Sequence, residues 1–365
     1  MSCPKPYVRA ETFESFVNKK GKISYKAEFL PRDIYDKTKF DNMVKAGRYR
    51  KVDLIPCGQC IECRLQKTRE WATRCMLEKD YGYHEVFDDE GNPLDIGHKY
   101  PENTCWFLTL TYEDEYLPKH QTVNTDTGEI YKGMSVDPKD MQLFWKRVRK
   151  RKKWSQMKIK YLNVSEYGSH THRPHNHAIV FGLPLDVTRF KKQGVNEWGD
   201  PYWSTDEFND IWIDEKTGNF KGFVSIGRVT WKSAAYVARY NLKKTLNQNN
   251  TEWYQAQGIL PEHISMSNGI GIDYLVNHWN KTLETDTVPI INPKTGELAK
   301  APQRFMRMIE ETDKDLYRMI KDKRKIIAES LENNKRLQTD LTPEERRKQS
   351  EQRMKDVIHD LRKDV

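Results

Sequence analysis

The stretch Lys158-Ile-Lys-Tyr-Leu-Asn-Val-Ser-Glu166, followed by Tyr167 to Pro174 and then His175-Asn-His-Ala-Ile-Val-Phe-Gly182, decides the fold. Both ends are rich in β-branched and aromatic residues and read as strands. Gly168 to Pro174 consists of turn-forming residues, so the two strands are expected to pair as an antiparallel hairpin. That pairing sets Glu166 opposite His175. Residues i and i+2 of a strand share a face, so His175 and His177 project to the same side. Two imidazoles and a carboxylate, with coordination positions left open, suit a divalent ion such as Mg²⁺ or Mn²⁺ holding a phosphate oxygen. His170 and His172, in the loop, are alternative ligands.

Working outward, Phe107-Leu-Thr-Leu-Thr-Tyr112 reads as a further buried strand. Asp137-Pro138 opens a helix, with Asp as N-cap and Pro at the first helical position. Its apolar residues Met141, Phe144, Trp145 and Val148 recur at helical spacing, and a basic run, Lys146 to Lys153, ends it. A short strand is expected over Gly222 to Val229 and a helix over Ser233 to Lys244. Val288 to Ile291 and Glu297 to Lys300 flank a hairpin turn at Asn292-Pro-Lys-Thr-Gly296. The first fifty residues show no clear period and read as irregular.

The helix over Ser233 to Lys244 carries Tyr236-Val-Ala-Arg-Tyr240-Asn-Leu-Lys243-Lys244. A spacing of four stacks both phenols on one face, with Lys243 and Lys244 on the same side. Ala234, Ala235, Ala238 and Leu242 form the other face, small enough to lie close on a sheet, which would turn the tyrosines away toward a cleft. A phenol with a pKa of ~10 is a poor nucleophile at neutral pH and needs nearby cations, which the lysines supply. Either tyrosine can act first, with a preference for Tyr240. The metal ligands, these phenols and a basic surface together form a phosphoryl-transfer kit.

A helix is also expected from Cys57 to about Asp80, with Ile61, Leu65, Ala72, Cys75 and Met76 on one side. Arg64, Lys67 and Arg74 form an adjacent stripe suited to phosphates. Cys57-x-x-Cys60-x-x-Cys63 leads into it. Such spacing suggests Zn²⁺, with Cys75 or a distant His as fourth ligand, or else thiols that cap and pack the helix. Cys3 and Cys105 read as bystanders.

The 365 residues carry a net charge of +9, which favours a polyanionic partner such as nucleic acid. Aromatic residues make up 11 %, including ten Trp and eighteen Tyr, many among Lys and Arg. Rings beside cations suit unpaired bases, although core packing uses the same residues. No run approaches the ~18 apolar residues of a membrane span, and the N-terminus lacks a signal-peptide core. A protein of the cell interior, without a membrane partner and with reduced cysteines, is expected. Beyond Gln303 the chain is densely charged, and Thr342-Pro-Glu-Glu345 forms a capping box. The expected division is a basic N-terminal region with the Cys cluster and helix over 1–100, an endonuclease-like core over 101–303, and a charged helical tail over 304–365.

His175-Asn-His177 with Tyr236-x-x-x-Tyr240 resembles the signatures of the HUH endonucleases, although Asn176 stands where that family usually has a hydrophobic residue. Pro56-Cys-Gly-Gln-Cys-Ile-Glu-Cys-Arg64, Trp71-Ala-Thr-Arg-Cys75, Phe107 to Tyr112, His172-Arg-Pro-His-Asn-His177 and Gly269-Ile-Gly271 add to the likeness. Taken in order over roughly residues 56 to 300, the set resembles the replication initiators of gokushoviruses, small single-stranded DNA phages. The resemblance implies an α+β fold in which helices flank a central antiparallel sheet. It also implies rolling-circle chemistry: nicking an origin, joining a Tyr to the 5′-phosphate and freeing a 3′-OH. Implied with it are single-stranded phage origin DNA and host replication proteins as partners, in the cytoplasm of a host bacterium. Other readings are a non-catalytic single-strand binder, a nuclease in which water attacks, and a relaxase or transposase of the same chemistry.

Overall fold

The computed structural model describes the chain except residues 1–2, 4–5, 19–20, 22, 31–36, 59, 83, 88–92, 98–99, 101–102, 125–126, 156, 169–170, 197–198, 244–249, 292–295, 343–344, 347, 350–351, 354–355 and 357–365. Two compact units make it up: Met1–Gln66 with Arg324–Val365, and Lys67–Lys323.

In the first unit, strands β1 (Tyr7–Val17), β2 (Ile23–Leu30) and β3 (Lys51–Ile55) form an antiparallel sheet in the order β2-β1-β3, with helix α1 (Lys37–Lys45) preceding β3. The expectation of an irregular N-terminal region is therefore wrong. Only a short part of β1 alternates cleanly. Val8 and Ala10 are buried while Arg9 and Glu11 pair with each other at 2.9 Å. Past Glu11 the register against β2 shifts and Phe13, Phe16 and Val17 are exposed. Period-two patterning is thus lost over most of the strand.

Helix α2 (Ile61–Tyr81) carries the chain into the second unit, followed by the hairpin β4 (His84–Phe87) and β5 (Pro93–Gly97). Next come β6 (Trp106–Leu110), the hairpin β7 (Lys119–Val123) and β8 (Ile130–Met134), and helix α3 (Pro138–Lys150). Strands β9 (Lys160–Tyr167), β10 (Pro174–Phe181), β11 (Lys191–Val195), β12 (Pro201–Ser204) and β13 (Val224–Arg228) precede helices α4 (Trp231–Lys243) and α5 (Asn250–Gln257). After β14 (His263–Met266) come short helices α6 (Ile272–Asn277) and α7 (Trp279–Thr285), then the hairpin β15 (Thr287–Ile291) and β16 (Leu298–Lys300). Helices α8 (Gln303–Thr312) and α9 (Lys314–Leu337) follow.

Seven strands form one antiparallel sheet in the order β11-β12-β13-β6-β10-β9-β14. The fold is α+β, with helices on both faces of this sheet. One face presents Leu108, Leu110, Ala178, Val180 and Ile226 to Met141, Phe144, Trp145 and Val148 of α3. The cap expected for α3 is present: the Asp137 carboxylate accepts the Lys139 N–H at 2.9 Å. On the opposite face, Leu162, Val164, Ile179 and Phe181 pack with Ala72 and Cys75 of α2 and Ala234 and Val237 of α4.

A buried polar cluster fastens α2 to this second face. Lys160 meets Glu78 at 2.8 Å and Asp273 at 3.0 Å. Glu78 also accepts the Tyr100 hydroxyl at 2.8 Å and the Gly271 N–H at 2.6 Å. Gly271 stands at φ 72°, and a Cβ there would meet the Arg74 carbonyl oxygen at 2.7 Å, so both conformation and space call for glycine. In the first unit the capping box is formed: Thr342 Oγ1 donates to Glu345 at 2.7 Å and accepts the Glu345 N–H at 3.3 Å.

Candidate active site

Strands β9 and β10 form the hairpin read from the sequence, and its register sets His175 against Glu166 and His177 against Val164. Glu166, His175 and His177 share the α2/α4 face of the sheet. Both histidine Nε2 atoms converge on Glu166 Oε1, at 3.1 Å from His175 and 3.2 Å from His177. One ligand atom from each of the three residues falls within 4.8 Å of the others. Glu166 is almost fully buried, whereas His175 keeps 18 % of its side chain exposed, so the cluster opens to solvent on the His175 side.

The outer ring nitrogens fix which atoms face inward. His175 Nδ1 lies 3.1 Å from the Arg173 carbonyl oxygen, which can only accept, so that nitrogen carries the proton and Nε2 presents a lone pair. His177 Nδ1 lies 2.9 Å from Thr109 Oγ1, an arrangement that accommodates the same tautomer. Phe107 stacks on the His177 ring at 5.4 Å and 10°. Two lone pairs and a carboxylate aimed at one point repel one another unless a cation sits among them. Burial would raise the Glu166 carboxyl, but its hydrogen bonds to His175 and His177 outweigh this and hold it down to about 2. The donor set and its outer hydrogen bonds therefore fit a divalent metal.

Asn176 points to the opposite face, which explains a polar residue between the histidines. It is buried and donates to the Tyr112 hydroxyl at 3.3 Å. Tyr112 in turn donates to Asp140 at 2.9 Å, and Lys221 pairs with the same carboxylate. Burial pushes the Tyr112 phenol well above its usual range, so it stays a donor.

Tyr236 on α4 reaches the cluster. Its hydroxyl lies 3.5 Å from Glu166 Oε1, and its ring meets His177 edge-on at 5.1 Å and Phe107 at 6.3 Å. The expectation that this tyrosine faces away from the sheet is thus wrong. Ala234, Val237 and Ala238 are buried, and Tyr236 lies between this packing surface and the open side, angled over β10. The Arg239 guanidinium sits 5.5 Å from the Tyr236 ring, a cation the sequence reading did not assign. Tyr240 and Lys243 belong to the α4 backbone, but their side chains lie outside the described residues, as does all of Lys244 and His170. His172 lies at the hairpin turn with φ 52°.

The same sheet face continues past His177 as a groove. Phe107, Thr109, Tyr202, Ser225, Gly227 and Arg228 line it. Register explains the continuity: Thr109 stands opposite both His177 and Ser225, and Phe107 opposite Gly227. None of these residues was singled out as functional from sequence. The available signal was the alternation of Phe107, Thr109 and Thr111 with Trp106, Leu108 and Leu110, which leaves hydroxyls on one face of a core strand.

The basic stripe of α2 is not one solvent-facing row. Lys67 is exposed, but Arg64 and Arg74 are buried. Arg74 Nε donates to the Ile270 carbonyl at 3.0 Å and its guanidinium lies 4.1 Å from the Trp71 ring. A single apolar stripe was expected, yet Thr68, Ala72, Thr73, Cys75, Leu77 and Glu78 are all buried and the helix is enclosed on several sides. Cys75 is sealed in the core beside Ala72 and is no partner of the other cysteines. The residue grouped with Cys57, Cys60 and Cys63 is Cys3, which the sequence reading set aside.

Comparison with known proteins places the chain among viral relatives. A family model for the replication-associated protein ORF2 group matches residues 105–245. The chain is 32 % identical over 282 residues to Replication-associated protein ORF2 of Spiroplasma virus 4, covering 76 % of this chain and 74 % of that one. It is 29 % identical over 261 residues to Replication-associated protein VP4 of Bdellovibrio phage phiMH2K, covering 69 % and 67 %. With Replication-associated protein ORF4 of Chlamydia phage 1 it shares 24 % over 237 residues, covering 64 % and 49 %. No solved structure matches it.

Proposed function

The chain belongs to the replication-associated protein ORF2 family, and on that premise we propose that it initiates rolling-circle replication by nicking and rejoining single-stranded DNA through a tyrosine. The observation that carries this reading is the Tyr236 hydroxyl, 3.5 Å from the carboxylate on which both histidines converge. The likeness to HUH endonucleases and to gokushovirus initiators belongs to the same proposal.

Glu166, His175 and His177 would hold Mg²⁺ or Mn²⁺, which when bound polarises a non-bridging oxygen of the scissile phosphate. Arg173 and Thr109 keep the imidazoles turned so that Nε2 faces that phosphate. Tyr236 gives up its phenolic proton, helped by the Arg239 charge, and its oxygen bonds to phosphorus. The ribose 3′ oxygen leaves and takes up a proton, so the products are a 5′-phosphotyrosine and a free 3′-OH. Tyr240, one helical turn on, is assigned the second transfer, with Lys243 and Lys244 as charge partners. The groove over Phe107, Tyr202 and Arg228 offers rings for unpaired bases and a cation for the backbone. Lys67 is assigned to phosphate binding outside the groove. Among the described residues no helix is long and apolar enough to cross a membrane. Host replication proteins as partners and the cytoplasm of a host bacterium as location are part of this reading.

The test is cleavage of an end-labelled single-stranded origin oligonucleotide. Cleavage should require Mg²⁺ or Mn²⁺, stop with EDTA, and leave one fragment attached to protein. A nick with two free ends would instead indicate attack by water.

A further inference from the structure

Cys3, Cys57, Cys60 and Cys63 form a second cluster, in the unit containing β1 to β3. The topology explains why residues so far apart in sequence meet. β1 pairs antiparallel with β3, Tyr7 against Ile55, so the residues just before Tyr7 lie beside those just after Ile55. Cys3 comes from the first group, and Cys57 and Cys60 from the second. Cys63 follows in the first turn of α2. All four Sγ atoms fall within 4.8 Å of one another, and Cys3 and Cys60 are 3.7 Å apart. Zn–S bonds of about 2.3 Å place the corners of a ZnS₄ tetrahedron about 3.8 Å apart, close to that separation.

The backbone is arranged for sulfur anions. The Cys57 N–H points to Cys3 Sγ at 3.4 Å, Cys60 N–H to Cys57 Sγ at 3.2 Å, and Cys63 N–H to Cys60 Sγ at 3.5 Å. Gly58 adopts φ 72°, a conformation that side chains disfavour and that curls the Cys57–Cys60 loop around its own sulfur. The four cysteines are not joined as disulfides. Four protein thiolates leave no open position, which marks a structural site rather than a catalytic one.

We propose that Cys3, Cys57, Cys60 and Cys63 bind one zinc ion that clamps the start of β1 to the β3–α2 turn. The full chain, purified under reducing conditions, should retain about one thiolate-bound zinc. Exchange for cobalt should give the thiolate-to-metal charge-transfer bands of a tetrahedral sulfur site, without any mutation. Cys3→Ser should weaken those bands and speed zinc loss to a chelator, whereas Cys75→Ser and His177→Ala should leave them intact. Absence of the charge-transfer bands would overturn the proposal, as would their full retention in both Cys3→Ser and Cys60→Ser.

Discussion

Thr109 Oγ1 on β6 lies 2.9 Å from Nδ1 of His177 on the neighbouring strand, so a hydroxyl on a core strand sets where the other nitrogen of that histidine points. Thr109→Val keeps the shape and removes the hydrogen bond. It should weaken Mn²⁺ binding by about 10- to 100-fold while the protein stays folded, as outer-shell partners typically do. Thr109→Ser should restore most of the affinity. Titration of Mn²⁺ followed by calorimetry checks this, and equal affinity in the Val and wild-type proteins would remove Thr109 from the site.

Acid should act on the metal-free protein through Glu166. Its folded pKa, about 2, lies below the ordinary value of 4.5. A depressed carboxylate contributes stability that is fully present above its unfolded value and is lost as pH falls through the folded one. The contribution, on the order of 3 kcal/mol, should therefore fade between about pH 4.5 and pH 2. In EDTA, wild type should exceed Glu166→Gln in unfolding free energy at pH 5, and the gap should narrow steadily toward pH 2.5. A gap independent of pH would show that the carboxylate charge is not what the histidines hold.

Gly271 is the point of closest approach between α2 and the segment before α6. Gly271→Ala must place a methyl 2.7 Å from the Arg74 carbonyl oxygen and hold φ at 72°, so it should destabilise the second unit by roughly 1–3 kcal/mol. Chemical denaturation checks this. A change within about 0.5 kcal/mol, the size of an ordinary surface effect, would mean that the contact relaxes freely.

Surface charge should affect binding to DNA rather than the cut itself. Lys67→Gln and Arg228→Gln each remove an exposed cation. Each should weaken single-strand binding for all sequences alike and lower the slope of log affinity against log salt by about 0.7. Arg74→Gln should instead lower stability, because its guanidinium is buried against Ile270 and Trp71. A salt slope unchanged by the first two variants would place the DNA elsewhere.

The parts of the fold legible in sequence were those with a local cause. The Asp137-Pro138 cap, the α3 period and the β9–β10 hairpin each depend on residues within a few positions, and the structure contains all three. Pairing Glu166 with His175 was legible because a short turn leaves little freedom of register. Contacts between distant segments were not. Cys3 joins the other cysteines only through the β1–β3 pairing, and a charged, irregular β1 hid that pairing. Arg64 and Arg74 read as surface because a helical wheel shows one buried face, whereas α2 is enclosed on several. The direction of Tyr236 was misread for a related reason: small residues located the packing side of α4 but not its tilt across β10.

The most direct test of the central claim is to trap the protein–DNA linkage and map it. Wild-type protein with Mn²⁺ and a single-stranded origin oligonucleotide should give a covalent adduct, and peptide mapping should find the phosphate on Tyr236 or Tyr240. With its hydroxyl at the metal-ligand cluster, Tyr236 should carry the first cut, so Tyr236→Phe should lose most of the nicking and Tyr236→Phe with Tyr240→Phe should give no adduct. An adduct persisting in the double variant, or metal-dependent cleavage with no adduct in the wild type, would contradict the account.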